Sequence, residues 1–154
     1  VIFYSLKRHD LEKIANIKLM ALKKRLAKNR NIKIVYGKKI TETFQDESNP
    51  QVDVAWLLSS QYKLPIEELD LGGRPLDRLI VKEVEDPLTE LLLEEGVPDG
   101  SFILVEATYP HGSKIYIDDE GAQRPVPPIV KLSVISEEEY NQKIVLDPVE
   151  AQFK

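Results

Sequence analysis

The stretch from Arg8 to Asn29 constrains the fold most, because it has the pattern of one long helix with a single apolar face. Asp10 and Glu12 fall in its first turn and basic residues crowd its last, an arrangement that the helix dipole favours. Apolar residues recur at the three- and four-residue spacing of an amphipathic helix: Leu11, Ile14, Ala15, Leu22 and Leu26. Such a helix is stable only when another layer of the protein covers its apolar face.

A small β-sheet is predicted as that covering layer. Ile32–Tyr36 alternates and is rich in β-branched residues, so it predicts a strand, which Gly37 ends. Arg124–Pro128 contains three prolines and predicts a stiff, extended connector rather than a helix. Three further strand candidates lie in the last third of the chain: Phe102–Ala107, Lys114–Asp118 and Ile129–Ile135. Asp99-Gly100 and Asp119-Glu120-Gly121 are typical turn sequences between them.

Two more helices are predicted in the middle of the chain. Asn49-Pro50 has the composition of a helix start, and we expect that helix to reach Gln61 with Trp56 as a buried anchor. A longer helix is expected from Pro75 to Glu95, with Pro87 kinking or splitting it and Gly96 as its C-cap. The fold class predicted from this order is α+β, with helices packed on a small mixed sheet.

Composition excludes several kinds of site. The 154 residues suit one domain, and the absence of cysteine rules out disulfides and thiolate metal sites. His9 and His111 are far apart, no HExxH spacing occurs, and we expect neither a metal site nor a catalytic residue in this piece. No apolar run approaches the ~18–20 residues that cross a bilayer, so a soluble protein is expected. Because the chain begins with Val1, we interpret it as a fragment of a longer protein.

The charge is divided unevenly along the chain. Residues 1–39 carry a net charge of +10 and the remainder −15. A basic first helix raises the hypothesis of nucleic-acid binding, which would be strongly dependent on salt. No aromatic residues are interleaved with the basic ones to stack on bases. A dipolar, solvated surface on one domain is therefore the favoured interpretation, and no nucleic acid is expected as a partner.

Gly72-Gly73-Arg74-Pro75-Leu76 is the stretch with the clearest chemistry. Glycines allow a tight turn and a close approach to another surface, and a proline in the first helical turn fixes where the helix begins. An arginine at that point lies beside unpaired backbone N–H groups and the positive end of the helix dipole. Its guanidinium binds phosphate through a rigid fork of donors. Arg74 is therefore a candidate anion-binding residue.

This stretch, with Asp86-Pro87-Leu88 near the end of the next helix, resembles the sensor-2 motif of Clp-type AAA+ ATPases. The resemblance covers about residues 1–107, from Phe3-x-x-Leu6 through the basic first helix to Asp99-Gly100 and the strand at Ile103–Val105. It is that of a ClpB- or ClpC-like unfoldase or chaperone, in the C-terminal small (lid) domain of its second AAA+ module. Residues 108–154 are then expected to be a β-rich C-terminal extension that continues the same domain.

The resemblance implies a site and a set of partners. Arg74 would contact the ATP phosphates as sensor-2, with Gly72 and Gly73 shaping the turn before it. ATP and Mg²⁺ would be held by the preceding AAA+ large domain, because this chain has neither a GxxxxGK[ST] loop nor an acceptable Walker B pair. The longer protein is expected to hydrolyse ATP, whereas this piece alone would be inactive and would not bind ATP tightly.

The resemblance further implies neighbouring subunits of a homo-hexamer and unfolded protein substrates as partners. It does not decide whether a Clp peptidase is also a partner. The compartment expected is the cytoplasm or an organelle stroma or matrix, including a plastid. The sequence departs from the family in three places. Gly73 replaces the usual alanine, residues 45–71 are longer than usual, and 108–154 has no counterpart that we can place. A stand-alone α+β protein-interaction module without nucleotide chemistry therefore stays as the alternative.

Overall fold

The computed structural model of the chain describes residues 8–38, 53–59, 73–109, 115–125 and 128–153. The helices are α1 (Arg8–Arg30), α2 (Val54–Leu58), α3 (Gly73–Ile80), α4 (Asp86–Glu94), α5 (Glu137–Ile144) and α6 (Pro148–Ala151). The strands are β1 (Lys33–Tyr36), β2 (Phe102–Thr108), β3 (Ile115–Ile117), β4 (Gln123–Pro125) and β5 (Ile129–Ile135). The long first helix and the strands at β1, β2, β3 and β5 confirm the corresponding sequence predictions.

The main sheet has three strands in the order β1-β2-β5. Strand β2 pairs in parallel with β1, where Ile34 lies opposite Ile103, and antiparallel with β5, where Leu132 lies opposite Val105. The sheet is therefore mixed, and with the helices packed on it the predicted α+β class is confirmed. A separate two-stranded sheet joins β3 and β4 through a turn, in which Gly121 has a φ of 81° and the Asp118 carboxylate accepts two backbone N–H groups.

The core lies between this sheet and the apolar face of α1. Alternate residues of the central strand β2 point towards the helices, and Ile103 and Val105 have no exposed surface. Leu11, Ala15 and Leu19 of α1 are equally buried, which confirms the apolar face predicted for that helix. Trp56 is half-buried and packs against this core from α2, as the sequence predicted. The other face of β2 meets α5 through the rings of Phe102 and Tyr140, whose centroids are 4.9 Å apart.

The second long helix runs from α3 to α4 through a π-helical turn, Val81–Glu85. Pro87 lies two residues beyond this turn and has no N–H to donate to the carbonyl one turn back. A wider turn before a proline accommodates that missing bond and the ring, so the helix continues instead of splitting. At the other end Gly96 has a φ of 60°, and the Val97 N–H bonds the Leu92 carbonyl at 3.2 Å. The predicted glycine cap is confirmed.

Three predictions need correction. The helix expected from Asn49-Pro50 does not run unbroken through Asp53, which is extended and caps α2 by accepting the Trp56 N–H at 2.7 Å. The stiff connector expected at Arg124–Pro128 is in part a strand, because Arg124 and Pro125 belong to β4, which pairs with β3, while residues 126–127 lie outside the described residues. The extension expected to be β-rich also contains two helices after β5, namely α5 and α6. The start at Asn49-Pro50 and its end at Gln61 lie outside the described residues.

The C-terminal helix α6 is attached to the core by a buried acid. The Asp147 carboxylate has no exposed surface and accepts the Lys23 ammonium at 3.1 Å and the Tyr36 backbone N–H at 3.0 Å. Its other oxygen caps α6 by accepting the N–H groups of Val149 and Glu150. One carboxylate therefore joins α1, β1 and α6, and Val149 of α6 is itself buried in the core.

Tyr36 is expected to make this core less stable at alkaline pH. Its side chain is fully buried and donates a hydrogen bond of 2.7 Å to the Leu19 carbonyl. Burial raises the pKa of the Tyr36 phenol well above its ordinary value, and the negative charges of Asp147 and Glu85 raise it further. The pKa of Tyr36 is higher in the folded protein than in the unfolded chain. The contribution of this tyrosine to the free energy of unfolding is therefore complete below about pH 10, and it is lost as the pH rises through the pKa of the folded protein.

We therefore expect the free energy of unfolding to fall above about pH 10, and less steeply in the Tyr36→Phe variant. That variant should also lose about 1 kcal/mol at neutral pH with the hydrogen bond. Urea titrations at a series of pH values, with absorbance at 295 nm reporting phenolate, measure both effects. Reversible ionisation of all 6 tyrosines near pH 10 in the folded protein would contradict this account.

Candidate functional site

Arg74 lies in the first turn of α3, where the sequence predicted an anion-binding residue. Its neighbours Pro75 and Leu76 are buried, which fixes the start of the helix against the core, while Arg74 itself is exposed. The first backbone N–H groups of a helix lack partners within the helix. Arg74 forms no ion pair with any carboxylate in the part of the chain that the structure describes. The side chain of Arg74 is therefore not held in place by an ion pair with any carboxylate of the described residues.

The two glycines of the motif are placed differently. Gly73 is the first residue of α3, so the helix begins inside the motif and two residues before Pro75. Gly72 lies outside the described residues, as do His111 and the family departure at 60–71. The structure thus brings Gly73 and Arg74 together at a helix start.

A groove lies between α1 and the helix that contains α3 and the π turn. It has a volume of about 420 Å³, and its apolar lining residues are Ala21, Leu22, Ile80 and Val81. Two ion pairs cross it, from Lys18 to Asp77 and from Arg25 to Glu85, the latter at 2.9 Å. Sequence reasoning missed this groove, and its one signal was that Lys18 and Arg25 lie two turns apart on the same side of α1.

The described residues offer no other chemical centre. Among them, no group of three His, Asp or Glu side chains is placed to hold a metal ion. None of their helices combines the length and the apolar character that spanning a membrane needs. Several basic residues of α1 are already in ion pairs, since Lys18, Lys23 and Arg25 each pair with a carboxylate. The helix start at Arg74 and the adjoining groove are therefore the candidate site.

Part of this chain is similar to known proteins. A family model described as the C-terminal, D2-small domain of ClpB protein matches residues 67–105, a range that contains Arg74, α4 and most of β2. The chaperone protein ClpB of Brucella suis biovar 1 (strain 1330) is 31% identical over 107 residues, or 70% of this chain. The ClpB of Rhizobium meliloti (strain 1021) is 33% identical over the same length. That of Tropheryma whipplei (strain TW08/27) is 31% identical over 100 residues, or 65% of this chain.

The chain corresponds to a small part of each of these relatives. The matched region is 10% of the length of the Brucella and Rhizobium proteins and 12% of the Tropheryma protein. The similarity therefore concerns one domain of a much larger chaperone.

Proposed function

Because the chain carries the C-terminal small domain of a ClpB-type AAA+ chaperone, we propose that it serves as the lid over an ATP site. In this proposal the nucleotide and its Mg²⁺ are held by a preceding large domain, and the lid supplies Arg74 to the phosphates. The longer protein would assemble with neighbouring subunits, as a homo-hexamer, and would use ATP hydrolysis to unfold proteins.

The proposal rests on the exposure and position of Arg74. It is exposed, it has no carboxylate partner among the described residues, and it stands at the positive end of α3. A guanidinium in that position can bind the γ-phosphate and stabilise the charge that develops during phosphoryl transfer. Gly73 leaves the backbone at this helix start free of a side chain, which suits close approach by a phosphate.

The rigid attachment of α3 suggests how phosphate binding would lead to movement. Leu76 is fully buried and Ile80 nearly so, and both belong to the same core as Leu22 of α1 and Ile103 of β2. A pull on Arg74 would therefore be transmitted to the whole domain and not absorbed by a loop. Loss of the γ-phosphate would release the lid and change its angle to the large domain, a hinge closure driven by ligand.

The proposal also covers the extent of the domain. We assign residues 1–107 to the lid and residues 108–154 to an extension that continues the same domain. Two contacts support this assignment. Strand β5 completes the main sheet, and Asp147 and Val149 of the extension are buried against α1 and β1. Removal of residues 108–154 should therefore unfold the lid, a result that far-UV circular dichroism would detect.

The alternative is a stand-alone α+β interaction module in which Arg74 has no nucleotide to meet. The open reading frame upstream of Val1 distinguishes the two. A GxxxxGK[ST] phosphate loop within the preceding few hundred residues would eliminate the stand-alone module. An open reading frame that encodes little more than this chain would contradict the lid.

A further inference from the structure

The two edges of the main sheet differ in what covers them. At the β1 edge, the Tyr36 N–H is accepted by the Asp147 carboxylate at 3.0 Å, next to α6. Strand β5 forms the other edge, and no strand among the described residues pairs with its outer side. Natural sheets ordinarily protect such an edge, because its unpaired N–H and C=O groups accept another strand. The β5 edge is therefore open to an added strand.

The hydrogen bonds of β2 determine which groups of β5 point outward. The carbonyls of Ser101 and Val105 accept N–H groups from the β1 side, so the odd-numbered residues of β2 bond in that direction and the even-numbered ones bond β5. The even-numbered residues lie opposite the odd-numbered residues of β5, in a register without a bulge. The outward-pointing N–H and C=O groups are therefore those of the residues between them: Val130, Leu132 and Val134.

The side chains of the same three residues leave the core incompletely covered. Val130 and Leu132 are half-buried and pack against the core from the helix side of the sheet, and Val134 is 46% exposed. Their neighbours on β2, such as Ile103 and Val105, have no exposed surface. An added strand with apolar residues opposite these positions would extend the core by one strand.

The charge on the other face of β5 indicates what else the added strand needs. Lys131 is exposed, and it has no carboxylate partner in the described part of the chain. Glu106 lies opposite it on β2, but the Glu106 side chain packs beside Gly37 at the end of β1. Strand β5 contains no acidic residue, so β5 of a second copy could not neutralise Lys131. An acid at this position has to come from a different protein.

We propose that the free edge of β5 binds an extended segment of another protein as an added strand. The segment has apolar residues at alternate positions and an acidic residue between two of them. It runs antiparallel to β5, the direction with the more stable hydrogen bonds. Its apolar residues exchange main-chain hydrogen bonds with Leu132 and its neighbours, and its acid meets Lys131. This proposal goes beyond the lid function and does not depend on Arg74 or on ATP.

A labelled peptide with the sequence Lys-Val-Thr-Ile-Glu-Val-Thr, blocked at both ends, tests the site by fluorescence anisotropy. Aligned antiparallel to β5, its isoleucine lies opposite Leu132 and its glutamate opposite Lys131. We expect it to bind the wild-type chain with a Kd below about 300 μM. Absence of binding at a chain concentration of about 1 mM would overturn the proposal.

N-methylation of the peptide separates strand addition from simple apolar contact. The N–H of the isoleucine bonds the Leu132 carbonyl, so its methylation should weaken binding at least about tenfold. The N–H of the glutamate points away from β5, so its methylation should change binding less than about threefold. These two peptides are matched controls that leave the protein unaltered. An equal effect of the two methyl groups would show that the peptide does not add to the sheet.

Charge exchange tests the contact with Lys131. Lys131→Glu should weaken binding about fivefold, and a peptide with lysine in place of its glutamate should restore it to within about twofold. Lys82→Glu is the matched control, because it changes the net charge equally at an exposed position of the π turn. It should alter binding less than about twofold. Equal weakening by the two variants, or no recovery with the exchanged peptide, would contradict the contact.

Amide hydrogen exchange, followed by NMR, locates the added strand and identifies its source. The peptide should slow exchange of the Leu132 and Val134 amides and leave that of Ser133 unchanged, since the latter already bonds β2. If the Leu132 amide instead becomes protected without peptide, as the concentration of the chain rises, a second copy occupies the edge and the proposal is wrong.

Discussion

The Asp147→Ala variant should lose about 3–5 kcal/mol of stability, which is a large share of the total for a domain of this size. The substitution removes a carboxylate that has no exposed surface, and with it three kinds of bond. The Lys23 ammonium loses one of its two anionic partners, the Tyr36 N–H loses its acceptor at 3.0 Å, and α6 loses its cap. Buried donors left without partners account for most of the expected cost.

Urea denaturation of this chain, followed by far-UV circular dichroism, measures the effect. Asp99→Ala is the matched control, because Asp99 forms an exposed ion pair with Arg30 at 3.4 Å. Such surface pairs contribute about 0–1 kcal/mol, so the control should stay within that range. Equal stability losses in the two variants would show that the buried Asp147 bonds do not hold α6 to the core.

In the longer protein, Arg74→Ala should lower ATP turnover by about two to three orders of magnitude. Arg74 is exposed at the start of α3 and contributes nothing to the core, so the lid should remain folded. The expected loss follows from removing a fixed positive charge from the γ-phosphate during phosphoryl transfer. Arg74→Lys should restore turnover only in part, since an ammonium keeps the charge but loses the two-pronged geometry of the guanidinium.

Steady-state phosphate release at saturating ATP measures turnover in these variants. Arg30→Ala is the control, because Arg30 is also an arginine near a helix end, and its ion pair with Asp99 is exposed. It should hydrolyse ATP at a rate within about twofold of wild type, as expected for a surface pair. Wild-type turnover in Arg74→Ala would exclude this arginine from the ATP site.

The sequence predicted those parts of the fold that depend on local pattern. The apolar period of α1, the β-branched run of β1 and the glycine after α4 each act within a few residues, so one sequence suffices to recognise them. Strand β4 was not predicted, because Pro125 and its neighbours have the sequence of a connector and become a strand only through their pairing with β3.

Interactions between distant residues were not predictable in the same way. Lys23 and Asp147 are 124 positions apart, and charged residues are ordinarily assigned to the surface. Their burial arises from the docking of α6 on α1 and β1, which no local period encodes. The groove could not be predicted for the same reason, because Lys18 and Asp77 become partners only when α1 and α3 pack side by side. The position of Arg74 at a helix start, in contrast, could be predicted from its motif, since a proline in the first helical turn is a local signal.

The most direct test of the lid is the affinity of the longer protein for two nucleotides that differ in the γ-phosphate. If Arg74 binds that phosphate, Arg74→Ala should weaken binding of a slowly hydrolysed ATP analogue about ten- to a hundredfold, the loss expected for a charge-assisted hydrogen bond. Binding of ADP, which lacks the γ-phosphate, should change less than about threefold. Equal affinities of wild type and variant for the ATP analogue, or an equal loss for both nucleotides, would contradict the account.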